Sequence, residues 1–325
     1  MPFRNQGAAF AIVCLVALVV PALRAVSQDI VFDGIPEGSM RLVERDEFVA
    51  RLGPFDRSAR LKTNGIVTEG RFLTFMAGTV LEWKPAQRAR IQAAYGSILP
   101  ALKHLALPLP SPVHFVQTTG AGEGNAAYTR GHAVILPAGV VDGPASALPS
   151  LLAHELFHVS SRSNPALRHR LYAAIGFQPC GEVLLPRHLR DQRITNPDAP
   201  ANAHAILVEV DGKKVWAVPV LHASSATYDP AKGGEFFDYL LSNLLLVERI
   251  GVSGHRLIDG PKGRMVSFAT AKGFHEQVGR NTGYTIHPEE ILADNFALLA
   301  TAPEGVKSPE VLERIRAALA IGAGN

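Results

Sequence analysis

Residues 151–162 read "LLAHELFHVSSR". The stretch sets His154, Glu155 and His158 in the order H-E-x-x-H inside an apolar run. In a helix each residue advances by about 100°, so His154 and His158 stand one turn apart on one face and aim two imidazoles at one point. Glu155 projects toward the edge of that face, where a carboxylate can hold a water without being a ligand itself. By chance the pattern would arise in a chain of this length on the order of one or two times in a hundred. An ordinary core helix has no use for three ionisable groups so placed, and Leu151, Leu152, Leu156, Phe157 and Val159 supply the helical, apolar setting that a metal site requires. The reading is therefore one zinc ion. A catalytic zinc needs a third protein ligand and an open fourth position.

The third ligand must come from elsewhere in the chain. Ser161 and Asn164 stand where a metzincin carries Gly and a third His, which excludes that subclass. Farther on, "HPEEILADNFALLA" (287–300) predicts a helix with Pro288 in its first turn. On it Glu290 and Asp294 lie one turn apart, so one carboxylate can go to the metal and the other to the second ring nitrogen of a ligand histidine. Glu289 is offset from the Asp294 side of that helix; it, His275 and His287 remain alternatives to Glu290 as the ligand.

With these two segments the chain resembles the zincin metallopeptidases of the gluzincin type. The resemblance covers about 14 residues around each motif. It implies His154, His158 and Glu290 as zinc ligands, Glu155 as general base, Asp294 as the carboxylate behind a ligand histidine, and a peptide or protein substrate. Enzymes of this kind often use a Tyr or His to help hold the oxyanion; "RNTGYTIHPEE" (280–290) offers Tyr284 first and His287 second. Two other readings stay open: a zinc hydrolase of another amide, such as a cell-wall peptide, and a non-catalytic zincin-like binding protein. Intact Glu155 argues against the last.

Bulk properties agree with an exported enzyme. Arg4 followed by the apolar "GAAFAIVCLVALVVPAL" (7–23) and small residues at Ala25 and Ser27 reads as a signal peptide over residues 1–27, giving a periplasmic or secreted protein. Removing Arg4 and Arg24 takes Lys plus Arg from 32 to 30 against 29 acids, a formal charge of +1 that offers no footprint for nucleic acid or an anionic membrane. Cys180 alone then remains of two cysteines, so no internal disulfide forms and the core carries the stability.

The fold class expected is α+β and zincin-like: one domain over 28–325 with a helical N-terminal lobe over 28–110, a small, mostly antiparallel sheet before the motif helix, and a largely helical second half. Strands are predicted at 113–119 and 125–137, the latter a sheet edge along which an extended substrate would lie, with Arg130 and His132 near the cleft. "PAQRARIQAAYGSILPALKHL" (85–105) predicts an amphipathic helix kinked or stopped by Pro100. "HAILVEVDGKKVWAVPVL" (204–221) predicts a hairpin turned by Asp211 and Gly212. "EFFDYLLSNLLLVERI" (235–250), apolar nearly all round, predicts a buried helix. The last helix is expected at 308–320.

Overall fold

The structure, a computed structural model, describes residues 30–321. The signal expected at 1–27 lies outside them. Among the described residues the order is β1 (Ile30–Phe32), α1 (Ile35–Leu42), α2 (Glu47–Arg51), α3 (Pro54–Arg60), α4 (Glu69–Ala77), β2 (Val80–Leu81) and α5 (Pro85–His104). Then follow β3 (Val113–Thr118), β4 (Tyr128–Arg130), β5 (Ala133–Pro137), α6 (Ala138–Val141), α7 (Leu148–Ser163), α8 (Pro165–Ala174), β6 (Phe177–Pro179), β7 (His204–Val210), β8 (Lys213–Ala223) and β9 (Leu240–Ile250). The chain closes with β10 (Gly254–Leu257), β11 (Arg264–Val266), α9 (Phe274–Val278), α10 (Pro288–Thr301) and α11 (Pro309–Ala320). None of the described helices is long and apolar enough to cross a membrane.

The fold is mixed α and β, with a sheet before the motif helix as expected, but the sheet is not mostly antiparallel. Its order is β1-β3-β5-β4 with β2 also on β3; β1, β3 and β5 run parallel, while β2 and β4 run antiparallel to their neighbours. Helices cover both faces, as such a sheet requires. Alternation along the strands makes this possible: Phe115, Val134 and Leu136 enter the main core with α5, α7 and α10, whereas Val116, Ala133 and Ile135 meet Phe48, Phe72 and Met76 of the N-terminal helices. Residues 30–110 therefore share this sheet through β1 and β2. Helix α5 runs through Pro100 to His104; the fully buried stripe of Ile91, Tyr95, Ile98 and Leu102 holds it where the ring removes one backbone bond.

The second half departs further from expectation. Residues 177–266 form a six-stranded antiparallel sheet, β10-β9-β8-β7-β6 with β11 on β9. The β7–β8 hairpin turns at Asp211 and Gly212, both at positive φ (50° and 74°), as a two-residue turn of this sequence demands. The buried helix expected at 235–250 is instead a short 3-10 turn, Phe236–Tyr239, followed by β9. The run is apolar on every side because the strand is buried on both faces: Leu244 and Leu246 join the main core, while Leu245 and Val247 pack with Cys180, Val218 and Val220 on the other side.

Helix α7 lies at the centre, packed on α10, α5 and α8. Leu152, Leu156 and Phe157 are fully buried, and each contributes about 1.5–3 kcal/mol by leaving water. That packing fixes the rotation of α7 and so the direction in which His154 and His158 point.

Candidate metal centre

Helices α7 and α10 face each other across the site. His154 and His158, one turn apart, have ring centroids 4.7 Å apart and nearly perpendicular planes. In the first turn of α10, Glu290 places Oε2 at 3.3 Å from His154 Nε2 and 3.6 Å from His158 Nε2. His287 caps α10 by accepting from the Glu289 N–H (3.1 Å), which sets the register that presents these acids.

The other ring nitrogens are held from behind. His154 Nδ1 meets Asp294 Oδ1 at 2.8 Å, and the far oxygen of Asp294 accepts from the Thr282 hydroxyl. His158 Nδ1 meets Glu289 Oε1 at 3.1 Å, and Glu289 Oε2 accepts from Ser161 (2.8 Å) and Tyr172 (2.6 Å). Two carboxylates thus take the Nδ1 protons and leave both Nε2 lone pairs turned toward Glu290. Asn196 completes the set, donating to Glu290 Oε1 at 2.6 Å.

The sequence-expected residues His154, His158, Glu290 and Asp294 come together as read, and Glu155 lies beside them, 3 % exposed. Tyr284 lines the adjoining cavity at its exposed side. His287 is buried against Tyr172 as a helix cap, and neither it nor His275 lines that cavity. Arg130 does not face the cleft: it is buried on the opposite side, bonded to Asp46 (2.5 Å) and the Glu44 carbonyl (2.8 Å), and His132 sits exposed in the β4–β5 turn. Glu289, offset from the Asp294 side of α10, still belongs to the site through the other nitrogen of His158. Asp198 and Asn196 were not singled out in the sequence; "NPDAP" (196–200) carries no local pattern pointing to a helix 94 residues away.

The electrostatics call for a cation. Burial alone would depress His154, but the hydrogen bonds to Asp294 and Glu290 outweigh it and hold it up to about 10. His158, under the same opposition of burial against Asp198 and Glu290, is also raised. Glu155 is pushed up to about 8, first by burial and then by Asp198. Two imidazoles amid five carboxylates therefore seek positive charge, as a proton or as a metal.

Zinc fits the donor set. Bonds of about 2.0–2.1 Å in a tetrahedron separate the ligand atoms by roughly 3.3–3.4 Å. The separations of 3.3 and 3.6 Å lie on that scale. Among the described residues His158 Nε2 and Glu155 Oε2 are also buried without a hydrogen-bond partner, an arrangement that costs about 1–3 kcal/mol per group unless something fills it. A cavity of about 660 Å³ opens beside His154, Glu155 and Glu290. Cys180 takes no part; its thiol is buried among β8 and β9.

Comparison with family models, with curated proteins and with solved structures finds no match for this chain.

Proposed function

We propose that the protein is a zinc-dependent peptidase that hydrolyses peptide bonds with Glu155 as general base. One observation carries the reading: Glu155, buried at the cavity wall beside the three donor groups, keeps Oε2 free of any hydrogen bond among the described residues. A purely structural metal site does not need that carboxylate.

His154, His158 and Glu290 would hold the ion, which when bound supplies Lewis acidity, lowering the pKa of a water to about 7 and polarising a carbonyl. Glu155 takes the proton of the attacking water and passes it to the leaving amine. Asp294 and Glu289 keep both imidazoles in one tautomer and orientation. Asn196 fixes the rotamer of Glu290. Tyr284 lines the same cavity and would donate to the developing oxyanion. The export reading of residues 1–27 puts this activity outside the cytoplasm.

The test is zinc content by elemental analysis on wild type, Glu290→Ala and Glu155→Gln, with peptide hydrolysis measured alongside. Near-stoichiometric zinc in wild type and Glu155→Gln, loss of zinc in Glu290→Ala and loss of hydrolysis in both variants are the expected results. Wild type that takes up no zinc at neutral pH would sink the reading.

A further inference from the structure

The first sheet ends at the cavity, and its edge is closed in a particular way. β5 pairs with one side of β4; the other side would ordinarily accept an added strand. There the Thr129 N–H donates instead to Asp198 Oδ1 (2.8 Å), and the Thr129 hydroxyl donates to the same oxygen (2.5 Å). Arg162 Nη1 donates to the Gly131 carbonyl (3.1 Å) and to Thr129 Oγ1 (2.7 Å). From Thr129 onward the edge is sealed by the chain itself. Ala127, two residues earlier and on the same hydrogen-bonding side, remains beside the cavity. An extended peptide pairing at Ala127 therefore runs out of edge at Thr129, where it meets the Asp198 carboxylate.

The charge at that end decides which terminus stops there. Asp198 lines the cavity, and its Oδ2 has no hydrogen bond among the described residues. Its carboxylate lies within 4.8 Å of ligand atoms of Glu155 and His158, whose Oε2 and Nε2 are buried and unpartnered. The residues lining the cavity include five carboxylates and no Lys or Arg. Arg162 reaches Asp198 only at Oδ1 (3.8 Å), from the Thr129 side, where it also donates to Thr129, Gly131 and the Pro197 and Asp198 carbonyls; it does not line the cavity and leaves Oδ2 without a hydrogen bond among the described residues. At the Asp198 end a substrate carboxylate would meet a like charge with no Lys or Arg on the lining to offset it, whereas an ammonium group would meet an acceptor.

The geometry points to an aminopeptidase site: Asp198 receives the free amino terminus of a peptide, and the first side chain lies on the apolar wall of Leu151, Ile194, Leu240 and Ile286. This rests on the peptidase reading. The bond broken is the first peptide bond; the water oxygen and one hydrogen end in the carboxyl group of the released residue, and the other hydrogen goes to the amine of the shortened peptide.

The experiment compares the zinc-loaded full chain on Leu-Ala-Phe-amide and on its N-acetyl derivative, with products identified by mass. Preference for the free amine by about 100-fold in kcat/KM is the expected result, since a site built around a donor group rejects the analogue lacking its charge and protons. Asp198→Asn keeps an acceptor for Thr129, and in it the preference should collapse toward parity, chiefly through KM for the free-amine peptide. Equal hydrolysis of both peptides by wild type overturns the inference and leaves the peptidase reading standing. Hydrolysis of neither, with zinc bound, overturns both. If Asp198→Asn does not fold, as circular dichroism would reveal, the wild-type ratio decides alone.

Discussion

Two clusters of buried charge lie close together in this molecule and differ in one respect. Arg60 sits between Asp56 and Glu123, all three essentially without exposure. Its Nε and Nη2 end on Glu123 (2.7 and 2.9 Å), Nη1 on Asp56 Oδ1 (2.8 Å), and Nη2 also on the Thr195 carbonyl (3.0 Å). Asp56 in turn accepts from Thr195 N (2.9 Å) and its hydroxyl (2.8 Å). The metal-site cluster is buried at Glu155, His158, Glu289 and Glu290 and partly open at His154 and Asp294, and among the described residues it leaves Glu155 Oε2 and His158 Nε2 without a hydrogen bond. Burial of charge thus does not by itself mark function; here the cluster with unfilled bonding capacity is the one that also opens on a cavity. The satisfied cluster serves the other at a distance, since it pins Thr195 and through it the loop carrying Asn196 and Asp198.

The sharpest way to break the contrast is Glu155→Gln. Hydrolysis should fall by about 10³-fold or more with zinc retained, and the melting temperature should hold or rise, because the amide needs no buried proton or charge. Rates of peptide cleavage and a thermal melt check this; a clear drop in melting temperature would place Glu155 among structural groups. Arg60→Met should do the reverse, removing about 3–5 kcal/mol of stability by stranding Asp56 and Glu123, as read from urea unfolding. Zinc affinity there should change little so long as the protein stays folded.

Glu289→Gln tests the grip on His158 from behind. Zinc affinity should weaken by about 10–100-fold in chelator competition, against outright loss in Glu290→Ala. Equal zinc retention in Glu289→Gln and wild type would show that the charge of Glu289 is not needed to hold His158 in place.

The smallest effect concerns a third kind of buried group. His204 packs against Tyr172 and meets His169 Nδ1 through Nε2 at 3.0 Å; burial first, then His287 and His169, lower it to about 3. The folded protein keeps this imidazole neutral while the unfolded chain takes a proton below about 6.5. Its contribution is therefore intact above pH 6.5 and is lost as pH falls toward 3, amounting to up to about 2 kcal/mol between pH 6.5 and 5. Urea unfolding at both pH values should show a shallower decline in His204→Gln than in wild type.

How much of this was legible in the sequence follows from the range of the signals. H-E-x-x-H and Glu290 with Asp294 are each helical periodicities contained within one turn and legible as spacing; that the two segments share one site was implied by the resemblance to gluzincins. The hairpin at Asp211 and Gly212 is equally local. Leu240–Ile250 misled because an apolar run rich in leucine suits a buried helix and a strand covered on both faces alike; only its pairing partners decide. The parallel pairing of β3 with β5 depends likewise on where the chain returns. Spacing leaves Glu289 open as an alternative to Glu290, whereas the structure puts it on the Nδ1 nitrogen of His158. Asp198 and Asn196 reach the site from a proline-rich loop whose path is fixed by Asp56 and Arg60, and no periodicity links those positions.

The two helices that bear the candidate metal donors lie on either side of the whole second sheet in the chain. The full set of three donors cannot close on an ion until that long intervening stretch has been drawn together, so capture of an ion by all three would belong to the late part of folding and its free energy would add to that of the folded state. Zinc would then act as a fastener between distant parts of the polypeptide: stripping it should speed global unfolding, and a metal pulse during refolding should be taken up only as β9 becomes protected from hydrogen exchange.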